Sequence, residues 1–586
     1  MSPSSSRLNQ LAGHLNGNAA NPLAVKPAYQ VVEQPLGTTR HIRIVTIGAG
    51  MSGMNMIRTL RLHLTDYEHM VYEKNPRIGG TWFENTYPGC KCDVPSHNYQ
   101  FSWRQNPEWS GFFSPAAEIE EYLGRVADEE KMREEIRTEH QVTRAEWDEA
   151  KGFWHIKVAN LRTKTEFDDY AHFLLDAAGI LNHWKWPEIP GLRSFQGELV
   201  HSANWPEKFD YASKTVAVIG NGSSGVQILP AIQPDVKKLV HFVREPTWIV
   251  PSRLQLITQG QGEEGSVLSE LKIEPDGSFP PSQIERFKKD KVFYRKFVKS
   301  VEEVVNSNFP LTLKDTEFAA AAQQMATAYM TNALQGDKRL CDAMIPTFPL
   351  GCRRLTPGIG YLEALKAPNV TVVTDPITKI VPQGLETTSG ELIEVDAIIC
   401  ATGFNVSFCP RFPVIGRQGN LQDKWTKELP KSYMSVAVPG FPNYFTFLGP
   451  NAPIGHGSVF TITEHIAKYL TRIIRKCQTE GVKAIEPSPD AVEDLYQHTQ
   501  MFMPRTAWSG NCASWFKNGT VNGPVTALHP GSRIHFFHML EEFRGEDWNY
   551  TRSGQINRFT YLGNGFSVKE AGDVDSTWYL DEPDKL

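Results

Sequence analysis

Cysteine is scarce, with eight residues in 586, too few for a disulfide scaffold. No run of about 18 apolar residues occurs, which excludes a bilayer-spanning helix. There is no basic excess either. Sixty Lys and Arg stand against 66 Asp and Glu, a net charge of −6, so the electrostatic footprint of a nucleic-acid binder is missing. The N-terminus lacks the apolar core of a secretory leader, and with the cysteine usage this leads us to expect a reducing, cytoplasmic setting. Residues 1–32 contain no acid and only Arg7 and Lys26 as strong bases. They read as a flexible tail followed by an extended arm, with only a thin likeness to an organelle transit sequence. No His/Cys cluster has zinc spacing, no EF-hand loop occurs, and Ser223-Ser224 forms no hydrolase elbow, so no metal is called for.

What is present is a repeated α/β unit. Ile42-Arg43-Ile44-Val45-Thr46-Ile47 reads as a buried strand that runs into Gly48-Ala49-Gly50-Met51-Ser52-Gly53 and a helix from Met54. A second strand at Val71-Tyr72 ends on Glu73. Segments around Trp147 and Trp154 read as a small antiparallel excursion. The pattern restarts about 170 residues later with Thr215–Ile219, Gly220-Asn221-Gly222-Ser223-Ser224-Gly225, a helix from Val226 and the strand Leu239–Val243. The fold class is therefore α/β, with two Rossmann-like dinucleotide-binding domains and a helical insertion in the second, its helical character clearest over Ile284–Asn306. The expected division is a flexible extension at 1–40, the first unit at 41–190 and 390–586, the second at 191–250 and 347–389, and the insertion at 251–346.

A GxGxxG between strand and helix lets backbone approach a pyrophosphate at the helix N-terminus. Gly48, Gly50 and Gly53 form one such loop, and Gly220, Gly222 and Gly225, with Ser223 and Ser224, form the other. The units differ in charge. Glu73 stands where a carboxylate can accept hydrogen bonds from a ribose diol, which suits FAD or NAD, whereas Arg244 stands where a guanidinium would pair with the 2′-phosphate of NADPH. Glu245 beside Arg244 weakens that preference. The plain alternatives are a solvated strand end for Glu73 and a surface ion pair for Arg244. Cys90 and Cys92 have the wrong spacing for a redox-active pair and read as buried small hydrophobes.

Between the loops, Phe195, Gly197, His201 and Trp205 followed by Pro206 form FxGxxxHxxxWP. This resembles the fingerprint of type I Baeyer–Villiger monooxygenases. Gly79-Gly80-Thr81-Trp82 continuing to Tyr87-Pro88-Gly89 and Asp93, and Ala401-Thr402-Gly403, are similar to further patterns of that group, and the likeness covers roughly residues 40–540. It implies FAD held in part by Gly80, Thr81, Trp82 and Asp93, and reduction of that FAD by NADPH. A peroxyflavin formed with O2 would then turn a ketone into an ester or lactone. It places the catalytic cation at Arg354 with Asp93 as its partner. Arg353 takes the position where these enzymes usually carry a lysine near the NADPH phosphate, and Trp515 the place of a tryptophan near the nicotinamide. His201 is expected to position the linker rather than act as a base. Ketone-binding walls are expected from 251–346, Phe404–Pro413 and the region of Trp515. Rival readings are a flavin monooxygenase acting on sulfur or nitrogen and, more remotely, a silent nucleotide-binding redox sensor.

Overall fold

The computed structural model describes residues 29–251, 267–274, 276–554, 557–570 and 575–581. Parallel sheets covered on both faces demand strands without a polar side, and Ile42, Ile44 and Val45 are fully buried in the central strand Ile42–Ile47. That strand pairs in parallel with Tyr67–Tyr72 and with Phe173–Asp176. Ile136–Arg137 and Tyr444–Thr446 complete a five-stranded parallel sheet. The second sheet repeats this design around Thr215–Ile219, flanked by Lys238–Phe242 and Ala397–Cys400, with Val370–Val373 and Glu198–His201 outermost.

Ala397–Cys400 belongs to the second sheet, so the crossing back to the first unit comes after Cys400 and not at residue 390. The physical reason is that four fully buried apolar side chains complete the sheet from within, beside Thr215–Ile219. Leu36 bridges to Ser567, so the arm preceding the first strand is paired with the C-terminal segment. The tail at 1–28 lies outside the described residues.

The antiparallel excursion consists of His140–Asp148, Phe153–Asn160 and Thr165–Ala171, with Trp147 directly opposite Trp154. The insertion contains helices Pro281–Lys289, Lys291–Asn306, Glu317–Ala333 and Lys338–Met344. The helical character expected over Ile284–Asn306 is divided between two helices at Asp290, whose carboxylate caps the second by accepting from Phe293 N at 2.8 Å. Phe287, Phe293 and Phe297 form an aromatic core with Phe112 and Phe279. In the first unit, helix Val459–Thr479 lies against helix Met51–His63, where the Asn55 side chain donates to Thr463 Oγ1 at 2.9 Å.

Candidate active site

Both glycine loops are built by the same steric rule. Gly48 has φ +101°, and a Cβ there would lie 2.7 Å from the Ala177 carbonyl oxygen. Gly220 also has φ +101°, and its Cβ would lie 2.6 Å from the Ala401 carbonyl oxygen. Only glycine combines that backbone with that approach. At the third position, a Cβ on Gly53 or Gly225 would meet the first glycine's own carbonyl oxygen at 2.2 or 2.0 Å. The middle glycines differ from these. Gly222 has nothing within 4 Å, and Gly50 only the Cα of Gly80 at 3.7 Å. Each middle glycine opens a helix with no side-chain cap, which leaves first-turn N–H groups free for an anion.

A cavity of about 1380 Å³ joins the two loops. Of the residues singled out by sequence, Gly48, Gly50, Glu73, Gly80, Thr81, Trp82, Asp93, Gly220, Gly222, Ser223, Ser224, Arg244, Arg353, Arg354 and Trp515 line it. Gly53 and Gly225 do not, because they face inward against backbone. The fingerprint residues Phe195, Gly197, His201 and Trp205 also lie off the cavity. The described residues of the expected helical wall, 267–274 and 276–346, contribute nothing to it, because the aromatic faces of the insertion are spent on the Phe112 cluster. Phe404–Phe412 and Trp515 supply walls as expected.

Glu73 is buried and accepts from Ala49 N at 2.9 Å and Asn75 N at 2.8 Å. Burial pushes its carboxyl pKa up, while these two N–H groups pull it down. Arg354 meets Asp93 in a two-point contact, Nε to Oδ2 at 2.9 Å and Nη2 to Oδ1 at 2.6 Å. The Asp93 charge raises the guanidinium pKa further, so this cation cannot discharge. The partners are brought together by the Tyr87–Asp93 segment, which docks on the second unit's helix. Tyr87 OH donates to Gln227 Oε1, and Gln227 Nε2 returns to the Lys91 carbonyl, each at 2.9 Å. Gly89, at φ +79°, is compelled there, since a Cβ would sit 2.6 Å from the Gln227 carbonyl oxygen.

Arg353 points the other way and pairs with Glu245, donating also to the Pro246 carbonyl at 3.2 Å. Immediately before it, Cys352 is bonded to Cys512, 160 residues away, which ties the arginine loop to the segment carrying Trp515. The low cysteine count gave no sign of this bridge, because a pairing over that distance depends on packing and not on spacing. Cys90 and Cys92 are free, half-buried and buried respectively, and burial pushes the Cys90 thiol up to about 11.

His201 is buried and stacked on Trp184 with ring centroids 4.7 Å apart, and its Nδ1 accepts from Ala203 N at 3.1 Å. Burial lowers its pKa to about 4, so it is neutral. Its Nε2 lies 3.3 Å from Thr402 Oγ1, which couples the fingerprint to the Ala-Thr-Gly turn. Gly197 is demanded by the Asp396 carbonyl oxygen, which a Cβ at this position would approach to 2.3 Å.

A family model for an NAD(P)-binding Rossmann-like domain matches residues 46–115. The chain is 37% identical over 551 residues to an FAD-binding monooxygenase of Aspergillus terreus, covering 93% of this chain and 95% of that protein. It is 32% identical over 504 residues to a Baeyer-Villiger monooxygenase of Streptomyces coelicolor, with 85% and 90% covered. The solved structure of cyclohexanone monooxygenase from Rhodococcus sp. Phi1 bound to NADP+ is similar with a TM-score of 0.72 at 25% identity, covering 88% of this chain and 100% of that one.

Proposed function

The chain belongs to the FAD-binding monooxygenase family, in its type I Baeyer–Villiger group, and from that premise we propose that it uses NADPH and O2 to convert ketones into esters or lactones. The balanced reaction takes ketone, NADPH, a proton and O2 to ester, NADP+ and water. One observation carries this reading: Arg354, gripped at two points by Asp93, stands on the wall of the cavity onto which both glycine loops open.

The cavity suits two dinucleotides because Gly50 and Gly222 present bare backbone beside uncapped helix N-termini. Gly50, Glu73, Gly80, Thr81 and Trp82 would hold FAD. Gly222, Ser223, Ser224, Arg244 and Arg353 would hold the nicotinamide coenzyme, with Trp515 at its reactive end. Bound flavin supplies hydride acceptance and the activation of dioxygen. The chain's own task is electrostatic. Oxygen insertion develops negative charge on the carbonyl oxygen, and the Arg354 guanidinium meets that charge without having to reorganise. Asp93 aims the guanidinium and offsets the cost of its removal from water. Phe408 and Trp515 present apolar wall that excludes water from the reacting centre. His201 is neutral and lies off the cavity, which leaves it a structural role.

The test is to supply the FAD-loaded protein with NADPH and air in the presence of a panel of ketones and sulfides, with analysis of products. Ester or lactone formation coupled to NADPH consumption is the expected result. Sulfoxide with no ester would move the reading to heteroatom oxidation. NADPH consumed only to hydrogen peroxide across the panel would overturn it, and failure of NADPH to bleach the flavin would favour a silent sensor.

A further inference from the structure

The adenosine end of the second unit carries a charge that works against its own arginines. By strand register Val243 occupies the place that Glu73 holds in the first unit. Tyr72 and Phe242 each accept from the first glycine of their loop, at 2.8 and 3.1 Å, and the next residues are Glu73 and Val243. Val243 is buried and apolar, so the first groups able to read a ribose substituent are Arg244 and Glu245. Arg244 is exposed on the cavity and free to meet a 2′-phosphate. Arg353 is not free, because its Nη2 is already paired with Glu245. The Glu245 backbone is pinned as well, its carbonyl accepting from Asn221 Nδ2 at 2.9 Å within the second glycine loop.

A phosphate dianion arriving here meets two cations and one carboxylate, and must share Arg353 with a partner already in place. A ribose diol meets the Glu245 carboxylate, whose Oε1 can accept from it while Oε2 keeps its pairing with Arg353, so the existing ion pair need not be broken. We propose that Glu245 is a selectivity residue that relaxes the preference for NADPH, so that this chain also binds NADH. This rests on the reading of the second loop as the nicotinamide-coenzyme site.

Calorimetry on the FAD-loaded full chain with 2′,5′-ADP and 5′-ADP tests the inference without turnover. Wild type is expected to favour 2′,5′-ADP by no more than about tenfold, and Glu245→Gln to widen that ratio at least tenfold further by tightening 2′,5′-ADP alone, about 1.4 kcal/mol. Glu245→Ala should widen it in the same sense. Flavin content and melting midpoint confirm that both variants are folded. A wild-type preference above about a thousandfold overturns the proposal without recourse to any variant. A ratio that both variants leave unchanged, or equal tightening of both nucleotides, also overturns it while leaving the site assignment intact. If neither nucleotide binds wild type, the reading of the second loop itself fails.

Discussion

The two glycine loops share one backbone and differ in charge. In each, the first glycine backs onto an alanine carbonyl just past the neighbouring strand and the third packs on the first, with the same φ of +101° at the first glycine. The strand ends diverge. A buried carboxylate follows Tyr67–Tyr72, whereas buried Val243 and then an exposed arginine follow Lys238–Phe242. Sterics therefore dictate the turn, since any side chain strikes a carbonyl, while the ligand is chosen by charges just beyond it. The neighbouring elements amplify the difference: the first loop leans on Gly80, whereas Asn221 of the second donates to the Glu245 carbonyl, and the Glu245 carboxylate is paired with Arg353.

The largest effect should come from adding one methyl to each loop. Gly53→Ala and Gly225→Ala each force a carbonyl contact near 2 Å, at 2.2 and 2.0 Å, costing about 3 kcal/mol locally. The first variant should be purified without flavin. The second should keep its yellow colour but lose NADPH-dependent bleaching, and parallel loss in both would break the division of labour. Next, Arg354→Ala should leave bleaching intact while ester formation falls about 10²–10³-fold in stopped-flow and product assays. Ester at the parental rate would remove this residue from the chemistry.

Reduction of Cys352–Cys512 frees the second unit's arginine loop from the segment carrying Trp515, and it should cost about 2–4 kcal/mol of stability, visible as a lower melting midpoint with reductant. The Cys352→Ser variant should reproduce that shift and abolish its dependence on reductant. The smallest effect concerns one buried strand histidine in each unit. His69 in the first unit contacts Glu135 at 2.6 Å, whereas His241 in the second is buried against Tyr361 OH at 2.8 Å. Burial holds His241 down to about 4. Its neutral form is thus stabilised in the fold, and that stability is complete above its ordinary pKa near 6.5 and lost as pH falls towards 4. The loss amounts to about 2 kcal/mol at pH 5. Hydrogen exchange, corrected for intrinsic rates, should therefore show Lys238–Phe242 losing protection before Tyr67–Tyr72 on acidification.

Much of the site was legible where the rule is local. The strand, glycine turn and helix sequence, and the family fingerprint, located both loops, Glu73, Arg244 and the arginine pair. The same reading grouped Gly53 and Gly225 with the cofactor residues, whereas they pack on their loops' own carbonyls away from the cavity, because spacing identifies a glycine but not the direction in which its missing side chain would point. It also assigned the insertion to the cavity wall, though Phe287, Phe293 and Phe297 are turned into a core of their own.

By itself the sequence determined two α/β units, the positions where only glycine fits and the chemical groups on hand, since backbone sterics and hydrophobic alternation act over a few residues. The tertiary structure alone decided two pairings, Cys352 with Cys512 across 160 positions and Arg353 with Glu245 across 108, whereas Arg354 with Asp93, 261 positions apart, was implied by the family likeness and by no local rule. Arg354 meets Asp93 because the Tyr87–Asp93 segment docks on the second unit's helix, and no short-range rule encodes which charge another charge will meet.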